Sequence, residues 1–302
     1  MDDKEATNHT EAEPVILQGH RGCRGELPEN TLEAFIQAVD AGVSSLELDV
    51  VLTGDRDLLV SHDPWMSHEI MVKSDGSAID PKSQHDLNVF EMSTDSCQAY
   101  ICGAKRHNKY PEQKSVKSFK PTLRQVVQGV RDHCRQAHIP VPSFNIEIKS
   151  TIAWEGKYHP SPEIYASVFL RELLNLSVAH MCTVQSFDYR ILNAVHTQFP
   201  DLDLVYLSER DQTVADMLAR LTFEPKGISL QYGLWTAQKI THCKANGLHM
   251  TAWTVNSEEE MNQLIGLGVR DIITDYPTRM IAELKRQGIE VFGRSKLDEA
   301  SN

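Results

Sequence analysis

The sequence predicts a parallel α/β fold that closes into a (β/α)8 TIM barrel, and three observations support this prediction. Short apolar runs typical of buried strands alternate with longer segments of helical periodicity from about residue 15 onward. Eight strand–helix units of this kind follow one another, which is the number that closes a barrel. The chain has 302 residues, 41% of them hydrophobic, and is long enough for one barrel of about 250 residues.

The predicted strands are short apolar segments rich in β-branched and aliphatic residues. Their spacing leaves room for one helix between most neighbouring strands, as parallel pairing requires. In chain order they are Val15–Gln18, Ser45–Val51, Phe144–Ile148, Met181–Gln185, Asp203–Leu207, Gly227–Leu230, Leu248–Thr254 and Asp271–Thr274.

The first predicted helix begins near Leu32 and has apolar residues at the i, i+3, i+4 and i+7 positions. Asn30 is its predicted N-cap, with Glu33 three residues later as a capping box, and Gly42 is predicted to end it. The later helices are predicted at Leu123–Ala137, Pro162–Leu176, Asp188–Thr197, Thr213–Leu221, Thr236–Asn246, Ser257–Leu267 and Thr278–Gln287.

A doubly wound open sheet is the structural alternative, because it is built from the same alternation of strands and helices. Such a sheet usually carries a glycine-rich phosphate loop after its first strand. The sequence contains no GxGxxG motif there, which favours the barrel.

The chain is predicted to form one barrel domain over residues 14–290, interrupted by an insertion. Residues 64–120 have no clear periodicity, and a structureless loop of that length is uncommon, so we expect an inserted cap or subdomain. Its second half, Gly103–Lys120, has six basic residues and one acidic residue. This half could steer anions, although a solvated loop is the more common outcome. Residues 1–13 are a predicted disordered lead-in, and residues 293–302 a polar tail.

The charge balance limits the class of partner. Lys and Arg total 30 against 42 Asp and Glu, a formal net charge of −12. Such a surface repels nucleic acid and anionic membranes, so an anionic substrate must be attracted by a local positive feature such as a bound cation. We therefore expect a small-molecule substrate and no nucleic-acid partner, while a homo-oligomer is compatible with the sequence.

Three features that the sequence lacks predict the cellular compartment. No apolar run approaches the roughly 20 residues of a membrane span. The acidic N-terminus lacks the basic and apolar regions of a secretory signal. The six cysteines lack the CxxC spacing of a zinc or redox site, which suggests free thiols in a reducing compartment. Together these features predict a cytoplasmic protein.

The strongest chemical signal is a pair of carboxylates in the second predicted strand, SLELDVV. Because side chains alternate along a strand, Leu46, Leu48 and Val50 share one face, and Glu47 and Asp49 share the other. In a barrel the aliphatic face packs on the outer helices, so the two acids should point inward. They lie near the C-terminal end of the strand, where barrel enzymes have their active sites.

The third predicted strand, FNIEIK, repeats this pattern and adds Glu147 and Lys149 to the inward face. Three carboxylates in one barrel mouth would repel each other unless a cation neutralised them. Oxygen-only ligands favour a hard divalent ion, Mg²⁺ or Ca²⁺, over zinc. The sequence thus predicts one divalent cation bound by Glu47, Asp49 and Glu147. The alternative is that these acids face water on an edge strand or pair with Lys149 and Arg21.

Two histidines are predicted at the same rim as the carboxylates. His20 directly follows the first strand, and His62 follows the apolar run Leu58–Val60. A lone histidine is usually a hydrogen-bonded structural residue, but imidazole titrates near neutrality, so a pair can supply one base and one acid across a cleaved bond. Arg21 and Lys149 add positive charge suited to phosphate oxygens.

These residues belong to motifs that resemble those of the glycerophosphodiester phosphodiesterase family. The first block contains HRG at 20–22, PENT at 28–31, ELDV at 47–50 and HD at 62–63. PTL at 121–123, EIK at 147–149, QSF at 185–187, WTVN at 253–256 and TDYP at 274–277 follow in the family's order. The resemblance extends from about Val15 to Leu284, nearly the whole chain.

The resemblance implies a metal-dependent barrel enzyme that hydrolyses glycerophosphodiesters to an alcohol and glycerol 3-phosphate. It implies that Glu47, Asp49 and Glu147 bind the metal and that His20 and His62 are the acid–base pair. Arg21 and Lys149 would hold the phosphate. The nucleophile would be either water or the neighbouring glycerol hydroxyl. It also implies that Trp253 walls the glycerol or alcohol pocket and that Gln185 points into the mouth. A core tryptophan is nearly as compatible with the pattern, and Gln185 could merely satisfy backbone groups. TDYP is interpreted as a strand-to-helix turn rather than a catalytic element.

The chain departs from the family pattern after HD, where many members have an Arg-Thr-Thr stretch and this chain reads HDPWMSHEIM. We expect the insertion to contribute to the rim of the active site and to select the substrate. One alternative is a lysophospholipase D-like or sphingomyelinase D-like activity on lipids, which an exposed apolar ridge beside the rim would favour. Another is a non-catalytic barrel that binds metal and phosphorylated polyols, although all five motif histidines and carboxylates are present.

Overall fold

Eight parallel strands close into a barrel in this computed structural model, which describes residues 13–293. The strands are β1 (Ile16–Gly19), β2 (Ser45–Leu52), β3 (Leu58–Val60), β4 (Met71–Val72), β5 (Ile101–Cys102), β6 (Ser143–Ile148), β7 (Cys182–Ser186), β8 (Asp203–Ser208), β9 (Gly227–Gln231), β10 (His249–Trp253) and β11 (Asp271–Thr274). The helices are α1 (Leu32–Ala41), α2 (Thr94–Gln98), α3 (Leu123–Ala137), α4 (Pro162–Leu176), α5 (Tyr189–Gln198), α6 (Val214–Leu218), α7 (Ala237–Ala245), α8 (Glu258–Leu267) and α9 (Pro277–Arg286).

The strand order around the barrel is β1, β2, β6, β7, β8, β9, β10 and β11. β11 pairs with β1, and β1 pairs with β2 through Gln18–Ser45 and Gly19–Leu46, so the ring has no open edge. The predicted (β/α)8 barrel is therefore confirmed, and the open doubly wound sheet is excluded. β3 lies outside the ring and extends the end of β2 in an antiparallel direction.

Most predicted elements are present, with differences at their ends. α3 and α4 have the predicted bounds. β7 begins one residue later than predicted because Ala179–Met181 forms a 3₁₀ turn. α6 is shorter than its prediction because its N-cap is Thr213 and the helix ends at Leu218.

The predicted capping box of α1 is wrong. Thr31, not Asn30, has the extended backbone of an N-cap, and its hydroxyl accepts a hydrogen bond from the backbone N–H of Ala34. Asn30 has a φ of 56°, and its side-chain amide donates to Asp49 at 2.9 Å. Both residue types are good N-caps, so a tertiary contact with the barrel decided between them. Gly42 ends the helix in a left-handed conformation, as predicted.

The hydrophobic core lies between the barrel and its helices. Leu46, Leu48 and Val50 on the outer face of β2 are fully buried in this layer. Because side chains alternate, Glu47 and Asp49 of the same strand point into the barrel. The outer layer therefore fixes the direction of the two acids.

The segment between β3 and α3 is a small packed unit on the side of the barrel. β4 and β5 pair in an antiparallel direction, and α2 lies between them in the chain. Its core also uses residues of β2 and β3, so the unit packs on the barrel. The buried residues of this cluster are Val51, Leu59, Met66, Met71, Ile79, Val89, Cys97 and Cys102.

Apart from Glu13 and Gly293, the predicted lead-in (residues 1–13) and tail (293–302) lie outside the described residues. All six cysteines are buried and free, as predicted. Within residues 13–293, no helix is long and apolar enough to cross a membrane.

Asp271, at the start of β11, leads to a prediction about stability and pH. Its carboxylate accepts hydrogen bonds from Gln18 Nε2 at 2.7 Å and from the Thr251 hydroxyl at 2.9 Å. Burial raises the pKa of Asp271 to about 6, whereas an unfolded aspartate titrates near 4. The folded state thus keeps a proton that the unfolded chain loses, and this group's contribution to stability falls as pH rises from about 4 to about 6.

We therefore expect Asp271→Asn to raise the melting temperature relative to the original protein more at pH 8 than at pH 4.5, because the amide never ionises. Thermal melts of both proteins at the two pH values measure this difference. An equal effect at both would contradict the prediction.

Candidate active site

The C-terminal ends of the barrel strands surround a cavity of about 730 Å³. The predicted acid–base and phosphate-binding residues His20, His62, Arg21 and Lys149 all line it. Glu47 and Glu147 also line it, as do Gln185 at the end of β7 and Trp253 at the end of β10. Asp49 lies beneath this surface, only 1% exposed. Segments far apart in the sequence thus converge because parallel strands place their C-terminal ends on one side of a barrel.

Strand pairing brings the three predicted metal ligands together. β2 and β6 pair with Asp49 directly opposite Glu147 and Glu47 opposite Asn145. Carboxylate oxygens from Glu47, Asp49 and Glu147 lie within 4.8 Å of one another. All three residues are buried, so the alternative that they face water on an edge strand is excluded.

The predicted phosphate ligands Arg21 and Lys149 also pair with these acids. Lys149 Nζ lies 2.8 Å from Glu147 Oε1 and 3.6 Å from Asp49 Oδ1. Arg21 pairs with two acids: its Nη1 lies 2.7 Å from Glu29 Oε1, and its Nε lies 3.2 Å from Asp49 Oδ2. Both cations therefore stabilise the carboxylates while they line the cavity.

Glu47 is the acid that these cations leave least neutralised. Its oxygens accept hydrogen bonds from the Arg21 backbone N–H and from Gln185 Nε2, both at 3.1 Å. Burial, together with the negative charges of Asp49 and Glu147, raises the pKa of Glu47 well above its ordinary value. Burial likewise raises the pKa of Glu147 to about 7. A divalent cation among three oxygen donors would relieve this repulsion, so the residues present fit such an ion.

His20 is held by a partner that the sequence reasoning missed. Its Nδ1 lies 2.5 Å from Asp275 Oδ1, in the turn after β11. Its Nε2, on the other side of the ring, lies 3.9 Å from Glu47 Oε2. Burial lowers the pKa of His20, and the Asp275 carboxylate acts against this shift. The neutral ring can therefore accept a proton at Nε2, and Asp275 can stabilise the imidazolium that forms.

Asp275 is itself fixed by two hydrogen bonds. Its Oδ2 accepts from Asn256 Nδ2 at 2.7 Å and from the Tyr110 hydroxyl at 3.0 Å. The nearby His20 contributes to a lowered pKa of Asp275, about 2, so the carboxylate is charged at neutral pH. TDYP is the predicted strand-to-helix turn between β11 and α9, and it also carries the aspartate that partners His20. An acidic residue directly after a barrel strand was the signal that could have identified it.

His62 has a similar but more local arrangement. Its Nδ1 lies 2.8 Å from Asp63 Oδ1, so the adjacent residue of the HD motif orients the ring. Burial, with the positive charges of Arg21 and Lys149, lowers the pKa of His62 to about 4. The ring is therefore neutral at neutral pH and can accept a proton.

The loop that carries His20 depends on glycine at position 22. Gly22 has a φ of 86°, in the left-handed region that favours glycine. A Cβ atom there would lie 2.6 Å from the backbone carbonyl carbon of Ala34 in α1. The close approach of loop and helix accounts for the HRG motif, because a larger residue would displace the neighbouring His20.

Gln185 and Trp253 occupy different parts of the cavity wall. Gln185 donates to Glu47, which orients its amide toward the carboxylate cluster. Trp253 is half-buried and makes an edge contact with Phe187, with ring centroids 5.6 Å apart. Each side chain reaches the cavity, whereas a core tryptophan would not.

The insertion does not have its predicted position relative to the cavity. None of residues 64–120 lines the cavity, whose outer walls come from the loops after β6, β7 and β8. The insertion touches the site indirectly, through Tyr110 and through Trp65, which packs on Trp154 with ring centroids 6.0 Å apart. In its basic half, Lys120 is buried and donates to Ser61. The expectation that the insertion contributes to the rim of this cavity is therefore wrong, whereas its expected role in selecting the substrate stays a prediction.

A family model described as the glycerophosphoryl diester phosphodiesterase family matches residues 20–279. The chain belongs to this family. The glycerophosphodiester phosphodiesterase of Caldanaerobacter subterraneus is 26% identical over 274 residues, which cover 91% of this chain and 99% of that protein. Lysophospholipase D GDPD1 of Mus musculus is 25% identical, covering 86% of this chain and 83% of that protein. The family predicted from the motifs is confirmed.

Solved structures of this phosphodiesterase family share the fold. A Silicibacter pomeroyi protein assigned to the glycerophosphoryl diester phosphodiesterases has a TM-score of 0.80 at 25% identity, covering 93% of this chain and 97% of that one. A phosphodiesterase of Oleispira antarctica, solved in complex with the product sn-glycerol-3-phosphate, has a TM-score of 0.71 at 20% identity, covering 90% and 97%. At 20% identity, the similarity to the Oleispira antarctica structure shows that the barrel fold is shared.

The pairing of Asp275 with His20 leads to a prediction for this phosphodiesterase. We expect Asp275→Asn to lower kcat at least ~10-fold with a much smaller change in KM, because the amide keeps the size of the side chain and removes the charge that stabilises protonated His20. Steady-state kinetics on a glycerophosphodiester measures the effect. Asp132→Asn, at an exposed acid of α3 outside the cavity, is the matched control. Equal kinetics for the two variants would contradict the role of Asp275.

Proposed function

We propose that this chain is a divalent-metal-dependent enzyme that hydrolyses glycerophosphodiesters to glycerol 3-phosphate and an alcohol. One observation carries the proposal: two histidines, each held by its own aspartate, line the same cavity as a buried cluster of three carboxylates. A pair of titratable groups and a cation site are the parts that cleavage of a phosphodiester requires. Membership of the phosphodiesterase family supports the same reaction.

Glu47, Asp49 and Glu147 would hold the cation, with Mg²⁺ or Ca²⁺ favoured by a donor set of oxygens alone. When bound, such an ion offsets the negative charge that develops on the phosphoryl oxygens. Lys149 and Arg21 keep positive charge at the same place through their ion pairs with this cluster. The phosphate is then bound between fixed charges that need little reorganisation during the reaction.

The two imidazoles transfer the protons. One accepts a proton from the hydroxyl that attacks phosphorus. The other takes up a proton from solvent at Nε2 when the anionic phosphate binds beside it, and then donates that proton to the oxygen of the departing alcohol. Asp275 and Asp63 bind Nδ1 of His20 and His62, which leaves Nε2 of each ring for this exchange. The attacking group is either water or the glycerol hydroxyl next to the phosphate, and the second route passes through a cyclic phosphate.

The direct test supplies purified protein with glycerophosphocholine and Mg²⁺ or Ca²⁺, and measures release of glycerol 3-phosphate. We expect turnover that is abolished by EDTA and restored by excess divalent metal. Binding of metal and glycerol 3-phosphate without turnover of any diester would instead indicate the non-catalytic barrel. Turnover that survives complete removal of metal would contradict the cation site.

A lipid substrate is a second candidate because apolar residues lie beside the cavity. Ile152 in the loop after β6 lines the cavity and is 69% exposed, and half-buried Trp154 also lines it. An acyl chain leaving the cavity could pack on these two side chains. Ile152→Ser should then reduce the cleavage of a lysophospholipid between its phosphate and its headgroup alcohol. The rate of glycerophosphocholine hydrolysis should stay unchanged. Equal effects on both substrates would exclude this acyl contact.

A further inference from the structure

The lining of the cavity continues from the carboxylate cluster to residues at the C-terminal ends of β7 and β8 and beyond them. This part of the cavity, the distal arm, is lined by Tyr189, Tyr206, Arg210, Gln212 and Arg220. Its walls come from β8 and the loop after it, from the start of α5 and from the residues that follow α6. A diester bound with its phosphorus at the carboxylates has two substituents, and an arm of the same cavity is available to one of them.

Ion pairing divides the basic residues of the cavity into two groups. Arg21 and Arg24 both pair with Glu29, and Lys149 pairs with Glu147. Within residues 13–293, by contrast, neither Arg210 nor Arg220 forms an ion pair with a carboxylate. The nearby acid Asp188 is already bound by Arg190 at 2.8 Å. Two guanidinium groups are thus available in the distal arm of a chain whose net charge is −12.

The two guanidinium groups converge on one wall of the arm. Arg220 lies over the ring of Tyr189, with its central carbon 5.8 Å from the ring centroid. Burial raises the pKa of the Tyr206 hydroxyl, and the positive charges of the nearby Arg220 and Arg210 act against this shift. The loop that carries Arg210 is held in place because Ser208 accepts hydrogen bonds from the backbone of Arg210 and from Gln212 Nε2, at 3.2 and 2.9 Å. The loop that carries Arg210 is therefore ordered, and both arginines are exposed at the cavity wall.

The same contacts disfavour a cationic substituent such as choline. Quaternary ammonium groups are bound by open aromatic faces. Here Arg220 covers Tyr189, and Lys149 Nζ lies 6.0 Å from the centroid of the Phe187 ring. Among the residues of the loop after β8 that line the cavity, one is negatively charged, the exposed Glu209. A group bearing anionic oxygens matches two guanidinium donors better, because such donors bind phosphate or carboxylate oxygens in pairs.

We infer that the distal arm is an anion subsite, in which Arg210 and Arg220 bind a phosphomonoester or carboxylate on the alcohol part of the substrate. This inference rests on the proposed hydrolysis of glycerophosphodiesters and specifies its substrate class. It predicts that the loops after β8 and α6, rather than the insertion, determine which alcohol part of the substrate is preferred.

The test compares two diesters that differ by one phosphate, glycerophosphoinositol and glycerophosphoinositol 4-phosphate. The phosphorylated diester should have a kcat/KM at least ~10-fold higher, mainly through KM, because charge-assisted hydrogen bonds are about twice as strong as neutral ones. Arg210→Gln and Arg220→Gln should each lower this ratio several-fold. Arg135→Gln removes one positive charge from an exposed site of α3 and is the control that should leave the ratio unchanged.

The outcomes separate the subsite from the reaction. Hydrolysis of both diesters with a ratio near one, or arginine variants that behave like Arg135→Gln, would overturn the anion subsite and leave the proposed activity standing. If no diester is cleaved, the proposed activity fails, and calorimetric binding of inositol 4-phosphate decides the subsite. Binding that exceeds that of inositol and weakens in Arg220→Gln supports it, and equal binding to all variants overturns it. Thermal melts of each variant verify that it is folded.

Discussion

Replacing His20 or His62 by alanine is expected to lower kcat by at least ~10²-fold, because in the proposed mechanism each imidazole transfers one of the two protons. The chain offers a matched control in His133, whose Nε2 lies 2.6 Å from Asp40 on the outside of the barrel. His133→Ala removes the same kind of histidine–aspartate pair at a distance from the cavity. Steady-state kinetics of the three variants on glycerophosphocholine measures the difference.

An activated substrate assigns the two roles. A nitrophenyl ester of glycerol 3-phosphate has a leaving group that departs without protonation, so it bypasses the acid but not the base. The alanine variant of the acid should recover most of its rate on this ester, whereas the variant of the base should not. Near-normal turnover of glycerophosphocholine by either variant would remove that histidine from the mechanism. Equal recovery by both would contradict a division into one acid and one base.

Replacing Glu47 or Glu147 by glutamine is expected to abolish most activity at a metal concentration that saturates the original protein, since each change removes one of the three proposed carboxylate ligands. The same substitutions should raise the melting temperature of the metal-free protein, because they remove a buried negative charge from a crowded cluster. Adding Mg²⁺ or Ca²⁺ should stabilise the original protein and have a much smaller effect on the variants.

Melting temperatures with EDTA and with each metal measure both effects without depending on activity. Glu172→Gln, at an acid of α4 that pairs with Arg124, controls for the general loss of a carboxylate. If the metal raises the melting temperature of Glu47→Gln as much as that of the original protein, the cation binds at another site. Destabilisation of the metal-free variants would mean that the ion pairs with Lys149 and Arg21 outweigh the repulsion within the cluster.

Much of the site follows from local pattern in the sequence. The alternation in SLELDVV is sufficient to put Glu47 and Asp49 on the face opposite the core, because the period of a strand is two residues. His20 is found from its position after a strand, and the family's motifs identify the same residues. These inferences need only the side-chain direction within one element and the rule that barrel sites lie at strand ends.

Contacts between distant elements could not be predicted in the same way. Thr31 and Asn30 are both suited to cap α1, and only the approach of Asp49 explains why Asn30 is used elsewhere. The bond between His20 and Asp275 joins residues 255 positions apart, and their pairing depends on where β11 closes against β1. The position of Asp275 directly after a strand marks it as a candidate for the site, but it does not reveal that His20 is its partner.

By itself the sequence determined the barrel, the family, the carboxylates and histidines of the site, and the inward direction of the acids, since periodicity and motif order are local properties of the chain. The tertiary structure alone decided which groups neutralise one another. It showed that Arg21 and Lys149 are shared with the carboxylates, that Asp275 orients His20, and that the insertion does not line the cavity. These outcomes depend on distances across the barrel mouth, which only closure of the ring of strands establishes.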